Sequence, residues 1–80
     1  METEILNKVV GIAKKHFKKS KIEMSGTTHI IDDLGGDSLD AMEIVMLIED
    51  EFKILIPEDR LDGVRTLGGL AEAVSELIKK

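Results

Sequence analysis

Eighty residues without a cysteine make one small domain, residues 1–80, held by packing alone; disulfides, thiolate metal sites and a cysteine nucleophile are excluded. At this length only about 60% of the extended-chain surface leaves water on folding, so a deep catalytic cleft is not expected. The net charge of −5 divides into +4 over residues 1–21, −10 over 22–59 and +1 over 60–80, and an acidic middle disfavours nucleic acid while favouring basic protein surfaces.

The opening Met1-Glu2-Thr3-Glu4 is acidic and no apolar run approaches the ~20 residues of a membrane span. The expectation is a cytoplasmic protein with neither signal peptide nor membrane anchor. Ile5, Leu6, Val9, Val10, Ile12, Ala13 and Phe17 recur at three- and four-residue spacing, which predicts a first helix from about residue 3 to 18. Lys14, Lys15, Lys18 and Lys19 fall in its last turns, where cations offset the carbonyl end of the helix dipole without any anionic partner.

Residues 20–37 read as a long connection pegged by Met24, Ile30, Ile31 and Leu34 and ending in Gly35-Gly36. A second helix is expected to start at Asp37 or Ser38 and to run to about Phe52, with Pro57 opening a new turn. At about 100° per residue, Ala41, Ile44, Val45, Ile48 and Phe52 form its core face. Leu39, Met42, Glu43, Met46, Leu47 and Asp50 form the opposite face, flanked by Asp40. An adaptable Met/Leu stripe rimmed by carboxylates reads as a partner surface, although single exposed apolar residues are ordinary.

Residues 58–64 are expected to form one short helix, and Thr66 to cap a last helix over 67–78 built on Leu67, Leu70, Ala71, Val74, Leu77 and Ile78. Gly68 and Gly69 weaken its first turn, so the start of this helix is expected to be either mobile or closely packed. No alternating strand pattern is present. The fold class is therefore all-α: a small antiparallel four-helix bundle, three main helices and one short, with a long loop between helices 1 and 2.

Ser38, in Asp33-Leu34-Gly35-Gly36-Asp37-Ser38-Leu39-Asp40, is the candidate functional hydroxyl. Three readings apply to it. Asp37 or Ser38 caps the second helix; or Gly36-Asp37-Ser38-Leu39 is the motif of a GDSL esterase; or Ser38 accepts a phosphate-linked group at a helix N-terminus. The esterase reading lacks a base, because His16 and His29 both precede the serine. Those histidines, thirteen residues apart, show no metal-ligand spacing and read as surface residues. Leu34, Gly36 and Asp37 stand where a calcium loop spanning Asp32 to Glu43 would need two ligands and a glycine.

The run from Asp33 to Asp40, then Glu43-Ile44-Val45-Met46, Glu49-Asp50-Glu51-Phe52 and Ile54-Leu55-Ile56-Pro57, resembles the acyl carrier proteins along nearly the whole chain. The resemblance implies a non-catalytic monomer that receives 4'-phosphopantetheine from coenzyme A on Ser38 through a separate phosphopantetheinyl transferase. It implies acyl groups carried as thioesters on the arm and presented to fatty-acid, polyketide or specialised enzymes with basic docking surfaces. Asp37, Leu39, Asp40, Glu43, Met46, Glu49 and Asp50 match the family's recognition positions. Ile44, Val45, Ile48, Phe52, Ile56, Leu61 and Val64 would part to shelter a short acyl chain. Gly36, where fatty-acid carriers commonly have alanine, is a feature of peptidyl carriers and keeps that pathway as the alternative, with an unmodified interaction domain behind it.

Overall fold

In the computed structural model, which describes residues 2–18 and 23–78, the elements are α1 (Glu2–His16), α2 (Ser38–Phe52), α3 (Glu58–Leu61) and α4 (Leu67–Ile78). The expected all-α bundle is the fold. Each main helix contributes a stripe to one core: Val9 and Ala13 from α1, Ile44 and Ile48 from α2, Leu67, Leu70, Ala71 and Val74 from α4. Ile30 from the long loop and Ile56 from the segment after α2 complete it. α1 packs chiefly on α4 and less on α2, so the outer face of α2 is left uncovered.

Two boundaries differ from the sequence expectation. α1 stops at His16; Phe17 and Lys18 form a turn in which the Phe17 N–H still donates to Ala13 O at 2.8 Å. Lys14 and Lys15 lie in the last helical turn and Lys18 just beyond it; Lys19, and Ser20 at the start of the long connection, lie outside the described residues. α3 ends at Leu61 rather than Val64, because Asp62 is extended and Gly63 takes φ 78°, a left-handed conformation that does not continue a helix.

The long loop is fastened to the start of α4. Ile30 N–H donates to Arg65 O at 3.0 Å and Leu67 N–H to Thr28 O at 3.1 Å, an isolated antiparallel bridge between His29 and Thr66. One step further, Gly68 N–H donates to Gly26 O at 2.8 Å, and a β-carbon on Gly68 would stand 2.6 Å from that oxygen. Close approach, then, explains a glycine in the first turn of α4. Thr66 Oγ1 accepts from Gly69 N–H at 3.1 Å, the expected cap.

Candidate functional site

Ser38 is the first residue of α2 and is exposed. The chain reaches it through a turn over residues 30–34 that stops at Gly35, where φ is 71°. A residue with a β-carbon is strained in that conformation. Gly36 answers a different demand: a β-carbon there would lie 2.8 Å from Phe17 Cζ and 3.2 Å from Asp40 Cβ and Oδ2. The glycine pair is therefore two separate requirements, one of backbone angle and one of space.

Asp37 is the N-cap. Its Oδ1 accepts from Leu39 N–H at 3.0 Å and Asp40 N–H at 3.1 Å, while Asp40 Oδ2 accepts from Asp37 N–H at 3.0 Å, closing a reciprocal capping box. Those first-turn amides are thus already satisfied, so an anion on Ser38 would gain from the helix dipole and not from these N–H groups. The other Asp40 oxygen, Oδ1, lies 2.9 Å from His16 Nε2. An ionised carboxylate has no proton to give, so the ring nitrogen donates. That hydrogen bond, followed by the one from Asp37 N–H, holds the Asp40 carboxyl below its ordinary 3.8.

His16 is accordingly not the surface residue expected: its side chain is 17% exposed, wedged between α1 and α2. Its Nε2 also lies 3.4 Å from Glu43 Oε2, and His16, Asp40 and Glu43 bring one ligand-type atom each within 4.8 Å of one another. Spacing along the chain could not reveal this grouping, because 24 residues separate His16 from Asp40. His29 is half-buried too, its Nδ1 accepting from Asp32 N–H at 3.1 Å inside the loop turn.

The proposed recognition residues fall into two groups. Leu39, Met42 and Met46 are more than 60% exposed, Leu47 is 45% exposed, and Glu43 and Asp50 are exposed with them on the face that the other helices leave open. Asp37, Asp40 and Glu49 instead have internal work, since Glu49 Oε2 accepts from Ile56 N–H at 2.8 Å and holds the segment after α2. One and two turns along from Ser38, Ala41 and Val45 open into a groove of about 410 Å³ that is also lined by Ile30, Met46, Leu61 and Val64. Of the residues expected to shelter an acyl chain, Val45, Leu61 and Val64 line it, whereas Ile44 and Ile48 are fully buried in the core.

Ser38 thus offers an exposed hydroxyl at the start of a helix, with an apolar groove beginning one turn away. Residues 4–74 match the family described as phosphopantetheine attachment site. Among solved structures, the fold is similar to that of a Mycobacterium tuberculosis protein described as an acyl carrier protein. The TM-score is 0.80 at 22% identity, over 91% of this chain and 97% of the other.

Proposed function

The chain belongs to the family of phosphopantetheine-bearing carrier domains, and on that premise we propose that Ser38 bears the 4'-phosphopantetheine arm and that the domain carries acyl groups between partner enzymes. The observation that carries the assignment is the setting of Ser38: exposed, first in α2, next to an N-cap that fixes its backbone, and one turn from an apolar groove. When attached, the arm supplies a terminal thiol that holds acyl groups as thioesters.

The chain's own residues do the rest. Asp37 and Asp40 lock the first turn of α2, so the arm is rooted on a rigid element and its reach is set by its own length. Leu39, Met46, Glu43 and Asp50 offer the contact surface and steering charge for a transferase and for acyl-transferring or condensing enzymes. The acids flanking Ser38 are committed to backbone amides and to His16, so neither serves it as a general base; the domain is read as a non-catalytic, monomeric carrier. Among the described residues no helix is long and apolar enough to cross a membrane.

An acyl cargo is favoured over a peptidyl one. The groove lining is mainly apolar, and Gly36, the feature shared with peptidyl carriers, has a local steric cause in Phe17. Incubation with coenzyme A and a broad-range phosphopantetheinyl transferase tests the assignment by intact mass. One added pantetheine arm in the parent and none in Ser38→Ala is the expected result; an unchanged parent mass, or label retained in Ser38→Ala, overturns it.

A further inference from the structure

We propose that His16 is a positioning residue for the modification of Ser38: from the end of α1 it holds the Asp40 carboxylate and so fixes the first turn of α2 that presents the hydroxyl. The inference rests on Ser38 being the attachment residue. Asp40 is gripped from two sides, by His16 Nε2 on Oδ1 at 2.9 Å and by Asp37 N–H on Oδ2 at 3.0 Å. Asp37 in turn holds Leu39 and Asp40 N–H through its own carboxylate. A continuous chain of hydrogen bonds thus runs from α1 through Asp40 and Asp37 to both neighbours of Ser38.

His16 is itself braced. Its ring meets Phe17 edge-on, with centroids 4.9 Å apart and planes at 79°, and Phe17 occupies the space a β-carbon on Gly36 would claim. His16, the last residue of α1, and Phe17 in the turn that follows therefore bear on the attachment segment on both sides of Ser38, at Asp40 and at Gly36. Without the ring donor, Asp40 Oδ1 loses its protein partner, the carboxylate is held through one oxygen only, and the capping box spends part of its time open. A transferase that needs the closed form then meets fewer competent molecules, which raises its apparent KM for the carrier while leaving turnover of the bound complex unchanged.

The test is initial-rate transferase kinetics with saturating coenzyme A over a range of carrier concentration. His16→Ala is expected to raise KM about fivefold with kcat within about twofold, the size of effect that losing a helix cap produces. His16→Gln, whose amide nitrogen lies as many bonds from Cβ as Nε2 does, is expected to restore KM to within about twofold of the parent. In an Asp40→Ala background, whose side chain can neither accept from nor donate to the ring, His16→Ala is expected to add less than about twofold, because contacting partners are not additive. An unchanged KM in His16→Ala, equal KM values for His16→Ala and His16→Gln, or fully multiplicative effects in the double variant would each overturn the inference. If His16→Ala is unfolded at the assay temperature, His16→Leu replaces it, filling the space beside Phe17 without a donor. A parent chain that is not modified at all sinks the carrier reading; a modified parent with these variant outcomes absent sinks only the role of His16.

Discussion

Gly36→Ala separates a steric account of the glycine pair from a pathway signature. The new β-carbon would stand 2.8 Å from Phe17 Cζ and 3.2 Å from Asp40 Cβ and Oδ2. Carbon atoms settle at about 3.5–4.0 Å, so the ring edge must retreat by roughly 0.7–1.2 Å. Overpacking of this kind costs about 1–3 kcal/mol, and the stiffer unfolded chain of alanine returns only about 0.4–1 kcal/mol. The net is a loss of about 1 kcal/mol, which in a domain of this size lowers Tm by about 4–8 °C. Thermal unfolding followed by helical circular dichroism reads it directly. Phe17→Leu in the same chain shortens the offending side chain and is expected to recover at least half of the loss. An unchanged or higher Tm in Gly36→Ala, or effects of the two substitutions that simply add, would refute the steric argument and return Gly36 to the status of a family signature.

Lys53, the C-cap of α2, sits at φ 58° and ψ 45°, a left-handed conformation that costs a residue with a β-carbon about 1–2 kcal/mol. Lys53→Gly is expected to gain about 0.5–1 kcal/mol after the greater flexibility of the unfolded glycine chain is counted; a lower Tm would contradict it. Because the Asp40 carboxyl is held below 3.8, first by His16 and then by Asp37 N–H, its contribution is fully present above about pH 4 and is lost as pH falls through the depressed value. Carboxyl carbon shifts titrated by NMR should place the Asp40 midpoint below 3.8 and move it upward in His16→Ala, and a midpoint indifferent to His16 would remove the cause assigned. Reversing Glu43 or Asp50 to lysine is expected to slow partner reactions more at low salt than at 0.5 M, where screening shortens the reach of charge to a few ångströms; rates equally slow at both would argue against electrostatic steering.

α2 could be placed from sequence because its signals are local: an Asp cap, an acid three residues later, and Pro57 closing the exit. The same reasoning overran α1, since Phe17 continues the apolar period but is drawn into a turn beside Gly36, nineteen positions further along the chain. The bridge between His29 and Thr66 leaves no side-chain pattern at all, being made by backbone groups of Thr28, Ile30, Arg65 and Leu67. The setting of His16 is hidden from the sequence for a related reason. Its position on the flank of the α1 stripe says only that it lies near an interface, and its partners come from a helix whose orientation no periodicity specifies.

The largest revision concerns what the acidic middle segment is for. Counting charges treats eleven carboxylates over residues 22–59 as equivalent, but the structure sorts them by what their oxygens accept. Asp33, Asp37, Asp40 and Glu49 each accept from a backbone N–H, and a carboxylate used in this way is half-committed before any partner arrives. On the open face of α2 this leaves Glu43 and Asp50 as the acids with no backbone duty, separated by seven residues, or about 10 Å of helix axis at 1.5 Å per residue. Met46 and Leu47 lie between them, exposed. The address a partner would read is then two carboxylates spanning an apolar pair, which calls for two cationic side chains about 10 Å apart with a hydrophobic contact between them. A uniformly basic surface lacking that apolar centre would gain encounter rate from the field of the segment but little residence time, because steering acts on association while desolvated contact area governs dissociation.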